Sequence, residues 1–281
     1  MIEPIQSDDE FLADVESARW APGLHLWWLG QSGFLIAHRG RCILLDPYLS
    51  DSLTEKYAKT ERPHVRMTRR MIDPRRLDFI AAAACTHNHT DHLDAQTLKP
   101  LLDVNPDLAV IVPEVNRAFA ADRLGIEPEA LVGIDEHKTV EIEGFRFTCV
   151  PAAHETLERD AAGRLTHIGY IVQADDKTIY HSGDTVLYEG MVSILKKFKV
   201  DVALLPINGR SPERRVAGNL NGAEAAQLAH DIGARLVVPC HYDMFEFNTA
   251  SPERFIAECE RIGQVYRILR NGERLSLKGL K

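Results

Sequence analysis

The chain has 281 residues, enough for one large domain or two small ones, and its 45% hydrophobic and 26% charged content is ordinary for a soluble globular protein. A net charge of −8 argues against a general nucleic-acid or anionic-membrane surface, and no apolar run approaches a membrane span. The five cysteines, at 42, 85, 149, 240 and 259, include no CxxC pair and read as small buried hydrophobes; Met1-Ile2-Glu3-Pro4 lacks a basic-then-apolar leader pattern, so a reducing cytoplasm is expected.

Residues 8–19 are amphipathic and predict a helix that packs Phe11, Leu12 and Val15. Strands are expected over 24–29, 34–38 and 42–45, joined by Gly-containing turns into a β-meander. Trp27 and Trp28 would face opposite sides of their strand, so at most one is core and the other needs a covering helix or partner. Residues 49–76 break this pattern, with Arg62, Arg66, Arg69, Arg70, Arg75 and Arg76 and no clear period. An irregular insertion there is expected to be a lid, a binding loop or a solvated charged face.

The apolar run 79–85 then reads as a buried strand, and it ends at Thr86-His87-Asn88-His89-Thr90-Asp91-His92-Leu93-Asp94. Three imidazoles so close are awkward in an ordinary core, because each brings polar nitrogens that need partners. Around a divalent cation they make sense. HxHxDH should arise by chance in about one or two chains per thousand of this size, so the metal reading leads.

Beyond it, helices are expected over 94–102, 114–124, 188–198, 223–232 and 252–262, with strands over 108–112, 200–206 and 236–239. Hairpins are expected for 139–142 with 145–150, 167–173 with 177–180, and 265–269 with 274–277 across Asn271-Gly272. No linker divides the chain, so residues 1–281 are read as a single domain. A metal loop this short supplies ligands from one side only. Three further candidates stand at the ends of strand-like segments: His154, Asp184 in Tyr180-His181-Ser182-Gly183-Asp184-Thr185, and His241.

HxHxDH, a downstream His, SGDT and a final His, in that order, resemble the ligand pattern of the metallo-β-lactamase superfamily. Asp46 matches that family's early supporting aspartate. Softer strings, such as His25-Leu26-Trp27-Trp28-Leu29-Gly30 and Val237-Val238-Pro239-Cys240-His241-Tyr242-Asp243, are similar to the ascorbate-6-phosphate lactonase group. The resemblance implies an α/β four-layer αββα sandwich with two divalent metal ions, Zn²⁺ or Mn²⁺, at one edge. It implies His87, His89 and His154 on one ion, Asp91, His92 and His241 on the other, and Asp184 bridging. Two such ions can share a hydroxide and polarise the scissile group, with Asp91 managing the proton. Asp46, Asp94, Thr86 and His181 are expected behind the ligands, fixing imidazole N–H groups. Cys240 is expected to point away as core, and His25, His38, His64, His137, His167 and His230 carry no site argument.

The leading expectation is a metal-dependent hydrolase, a lactonase on a phosphorylated sugar-acid lactone. Its anionic substrate would meet Asn208, Arg210, Arg214 and Arg215 in the loop 208–218, and Arg66, Arg69 and Arg70 of a lid. A phosphodiesterase is the alternative, since a two-metal site also acts on phosphorus. A non-catalytic metal-stabilised binding module is the second class, disfavoured by a full set of seven ligand candidates. Antibiotic β-lactamase activity would call for secretion features, and a diiron oxygen-reducing role would call for Glu at His89 and a flavin domain. The expected partner is a small molecule, with no nucleic acid and no membrane; a homo-oligomer is compatible with the chain.

Overall fold

The structure, a computed structural model, describes residues 1–211, 216 and 218–277. After helix α1 (Asp8–Arg19), strands β1 (Leu24–Gly30), β2 (Gly33–His38) and β3 (Arg41–Leu45) form the expected antiparallel meander. A short helix α2 (Ser52–Tyr57) lies inside the insertion, which is therefore not wholly irregular. Next come β4 (Ile80–Ala84), α3 (Ala95–Val104), β5 (Ala109–Pro113), α4 (Arg117–Leu124) and β6 (Leu131–Ile134), with the strands adding in parallel to β3.

The second half repeats the plan. Strands β7 (Thr139–Ile142), β8 (Phe145–Pro151), β9 (Ile168–Ala174) and β10 (Lys177–His181) pair antiparallel. After α5 (Met191–Leu195), β11 (Val202–Pro206) pairs parallel to β10. After α6 (Gly222–Asp231), β12 (Leu236–Cys240) pairs parallel to β11, and α7 (Glu253–Ile262) and β13 (Arg274–Ser276) follow. The result is a seven-stranded and a six-stranded sheet, and this is the αββα sandwich.

Two buried clusters explain why the strands read as continuous apolar runs. Leu26, Trp28, Phe34 and Ile36 join Phe147, Tyr170 and Leu204 between the sheets. Their neighbours Trp27, Leu29, Leu35 and Ala37 meet Phe11, Val15, Leu98 and Ala121 under the helices on the outer face. Both faces of the first sheet are covered, so alternation of polar and apolar residues disappears. Trp27 sits beneath α1, edge-on to Phe11, and donates to Asp14, while Trp28 stacks on Tyr242 at 4.6 Å. Among the described residues no helix is long and apolar enough to cross a membrane.

The terminal hairpin expectation is corrected. The Asn-Gly turn exists, with Gly272 at φ +81, but its arms part. Val265 and Arg267 bond to Val237, whereas Arg274–Ser276 pairs with β1. One side of the turn serves each sheet.

Candidate metal centre

In open α/β sheets, sites gather at the carboxyl ends of the parallel strands. Here β3, β4, β10 and β12 deliver Asp46, the loop 86–94, Asp184 and His241 to one edge of the sandwich, and β8 delivers His154. Within the loop, Leu93 N donates to His89 O at 2.8 Å, a tight turn that gathers the rings.

Asp46 is fully buried in the left-handed region at φ +40, a conformation uncommon for a non-glycine residue. Its carboxylate accepts from Thr86 N at 2.7 Å, Thr86 Oγ1 at 2.8 Å, His92 Nδ1 at 2.7 Å and His181 Nε2 at 2.8 Å. Burial works against its charge, but His92 and His181 outweigh it and hold the carboxyl below its usual value. With Nδ1 of His92 committed to Asp46, Nε2 is the nitrogen aimed at the cluster. His154 is fixed in the same sense: its Nδ1 lies 3.0 Å from Gly218 O, an atom that can only accept. A Cβ on residue 218 would fall 1.9 Å from His154 O, so this approach requires glycine. Gly183, at φ +60, has the same role beside Thr86, where a Cβ would lie 2.7 Å from the Thr86 Cβ.

These supports bring together every ligand candidate. One donor atom each from His87, His92 and Asp184 lies within 4.8 Å of the others, and so do those of His89, His154 and Asp184, of Asp91, His92 and His241, and of His87, His89 and His167. His92 Nε2 is 3.3 Å from Asp184 Oδ1 and 3.7 Å from Asp91 Oδ2; His241 Nε2 is 3.4 Å from Asp184 Oδ2. Two ligands at about 2.0–2.2 Å from one ion stand at roughly such separations. His87 Nε2 and His167 Nε2 are buried without a hydrogen-bond partner, which is costly unless a cation serves them. The donor set therefore fits divalent metal.

Charge divides the cluster. Burial, then His92 and His89, push the His87 imidazole well below its usual value. Burial, then His154 and His89, push His167 down to about 4. At His241 burial acts in the same direction, yet Asp184 and Asp91 overcome it and raise the ring to about 9. Asp91 and Asp184 are held low despite burial, by His92 and His241.

The centre opens into a cleft of about 700 Å³, with His89, Asp91, His154, Asp184 and His241 on its lining. On one side His64 stacks on Tyr57 at 4.1 Å and meets Phe247 and Phe245 edge-on at 4.4 and 5.3 Å. Elsewhere the lining carries a chain of amides: Asn219 donates to Asn208 at 3.0 Å and Asn208 to Asn248 at 2.9 Å. The insertion thus reaches the cleft, through Leu53, Lys56, Tyr57, Thr60, Glu61, Arg62 and His64.

Several expected residues stand elsewhere. Arg66 turns inward, donating to Ser50 O and Thr68 O at 2.7 Å and lying 5.5 Å over the Tyr48 ring. Arg69 pairs with Glu3 at 2.8 Å and Ser7 at 3.1 Å, tying down the N-terminal segment. Neither residue lines the cleft, nor does Arg70. Arg210 grips Glu224 at 2.9 Å, whereas Asn208 does line the cleft; Arg214 and Arg215 lie outside the described residues. Asp94 accepts from Ser50 Oγ and Thr97 Oγ1 at 2.6 Å and caps α3, so its bonds serve the helix and no imidazole. Cys240 is buried as expected.

Two residues beside the ligands escaped the sequence reading, as did His64 on the cleft wall. Gln31, fully buried at φ +49, donates to Asp91 Oδ2 at 2.8 Å and stands 3.1 Å from His241 Nε2. His167 immediately precedes β9, whose first residue pairs with the last residue of β8. A strand start antiparallel to a ligand-bearing strand end reaches the same edge, a signal that looking only at strand ends misses.

The sequence profile of the beta-lactamase superfamily domain matches residues 41–242, a span from β3 to the residue after His241. A metal-dependent hydrolase of the UPF0173 group from Methanoculleus marisnigri is 31% identical over 241 residues, 85% of this chain and 89% of that one. Another from Methanoregula boonei is 32% identical over 242 residues, 85% and 90% of the two chains. The chain belongs to the metallo-β-lactamase superfamily, in its UPF0173 group of metal-dependent hydrolases. The isothiocyanate hydrolase from Delia radicum gut bacteria shares the fold, with a TM-score of 0.72 over 90% of this chain and 99% of its own, at 19% identity. The descriptions of the two UPF0173 relatives name no substrate.

Proposed function

We propose that the chain hydrolyses a small cyclic carboxylic ester, a lactone. Two divalent ions, Zn²⁺ or Mn²⁺, would be held by His87, His89, His154, Asp91, His92 and His241, with Asp184 available to both. The observation that carries this reading is that five of these seven residues line a cleft wide enough for a small substrate, so a bound ester meets the ligands directly. Two ions there would supply a water of lowered pKa and polarise the scissile carbonyl.

The chain's own groups do the rest. Asp91, ionised and fixed by Gln31, accepts the proton of the attacking water and returns it to the departing alkoxide. Tyr57, His64, Phe245 and Phe247 offer a flat apolar wall to the ring of the substrate. Asn208 and Asn219 offer amide groups to its hydroxyl or carbonyl oxygens. A phosphorylated sugar-acid lactone, as the resemblance implies, would meet Lys56 and Arg62 of the lining rather than Arg66 or Arg69.

A panel of plain and phosphorylated lactones, assayed beside bis(p-nitrophenyl) phosphate on protein loaded with Zn²⁺ or Mn²⁺, tests this. Lactone turnover supports the proposal. Turnover of the phosphodiester alone would replace it by the phosphodiesterase reading, and two bound ions with no turnover at all would favour a binding module.

A further inference from the structure

The imidazole side of the centre holds one ring more than the three that the resemblance assigns to its ion. The ring centroids of His87, His89 and His154 are 4.6, 5.8 and 5.0 Å apart. His167 stands 4.9, 6.0 and 5.4 Å from these same three rings. Six distances this similar are the edges of a tetrahedron. Four imidazoles bound to one ion at about 2.0–2.1 Å, each centroid about 1.1 Å further out, would give edges of about 5.2 Å. The observed edges scatter about that length.

The nitrogens of three of the four rings agree with this arrangement, and His154 shares its close group with His89 and Asp184. Each of His87 and His167 has Nδ1 beside a threonine hydroxyl of its own chain neighbour, at 3.1 Å from Thr86 and 2.9 Å from Thr166. In both, Nε2 is buried and has no hydrogen-bond partner. One nitrogen each from His87, His89 and His167 lies within 4.8 Å of the other two. His89 and His154 approach from the cleft; His87 and His167 do not line it and come from beneath.

We propose that His167 is a fourth imidazole ligand of the ion held by His87, His89 and His154. This rests on the dinuclear reading of the site. Four imidazoles beside the shared Asp184 make a nitrogen-rich set, which suits Zn²⁺ better than Mn²⁺, whereas the neighbouring position, with Asp91, discriminates less. With Asp184 as a fifth ligand, no position of that ion is left open to substrate. Substrate would then be engaged mainly from the carboxylate side, at Asp91, His92 and His241.

X-ray absorption at the zinc edge of the wild-type protein, loaded first with one and then with two equivalents, counts the imidazoles without any variant. Four on the first ion is the expected result; three would overturn the assignment. His167→Ala and His167→Gln are then titrated with Zn²⁺ against a chromophoric chelator, and with Co²⁺ by visible absorption. The tighter Zn²⁺ step should weaken at least tenfold, and the visible Co²⁺ bands should change, in protein of unaltered circular dichroism. Folded variants with wild-type affinity and spectrum would remove His167 from the shell while leaving the two-ion centre standing. A wild-type protein that binds no ion through His87, His89 and His154 would instead overturn the dinuclear reading itself.

Discussion

His87 and His92 are five residues apart on one loop, their ring centroids 4.1 Å from each other, and both are almost completely buried. At His87 burial and the neighbouring imidazoles drive the ring well below its usual value. At His92 burial acts in the same direction, but Asp184, Asp46 and Asp91 overcome it and raise the ring well above that value. Burial therefore does not decide the charge of a histidine here; the sign of its neighbours does. The centre has a neutral side, made of His87, His89 and His167, and a charged side, made of His92, His241, Asp91 and Asp184. A cation meets free nitrogens on the first and must displace protons on the second.

The largest test of that division removes the carboxylate that joins the sides. Asp184→Asn should lower kcat/KM at least a hundredfold, beyond the roughly ten- to hundredfold typical of residues that only support ligands, with the fold intact by circular dichroism. Near-normal turnover with both metals bound would deny Asp184 its shared position.

Asp46→Ala should come next, because it strips the partner from His92, His181 and Thr86 at once. Metal affinity should fall about ten- to a hundredfold, and stability by about 3–5 kcal/mol, the range for breaking a buried ion pair. Chelator competition and thermal melts read the two losses separately.

The contrast also sets a pH dependence. His241, raised to about 9, stabilises the metal-free fold fully below about 6.5, and that contribution is lost as the pH climbs through 9. His167, lowered to about 4, acts in reverse: the unfolded chain takes up its proton first, so stability falls as the pH drops from about 6.5 towards 4. Each limb is on the order of 3 kcal/mol. Metal-free protein should melt at its highest temperature near pH 6.5. Between pH 6.5 and 9 one ion should bind more tightly as pH rises while the other changes little. Two equally pH-dependent ions would erase the distinction.

The smallest effect is expected furthest from the centre. Arg69→Ala removes an exposed ion pair with Glu3, worth about 0–1 kcal/mol, and should leave kcat/KM unchanged on neutral and anionic substrates alike. Selective loss on the anionic one would bring Arg69 back to the site.

That outcome also shows where the sequence stops being readable. HxHxDH, His154, Asp184 and His241 were legible because metal binding demands particular atoms, and because strand ends on one sheet edge converge. The arginines of 49–76 were not, since a guanidinium is as suited to backbone carbonyls as to a substrate phosphate; Arg66 found Ser50 and Thr68. Gln31 was hidden in a turn whose left-handed backbone usually signals glycine, and His167 at the start of a strand rather than its end. The four-residue β6 was too short to carry a period. The Asn-Gly turn was read correctly, but local pattern cannot tell that its two arms join different sheets.

The central claim, a hydrolytic centre of two ions shared between an imidazole side and a carboxylate side, is most directly tested by elemental analysis of protein purified without chelator and brought to metal saturation. The account predicts close to two divalent transition-metal ions per folded chain. One ion or none would contradict it.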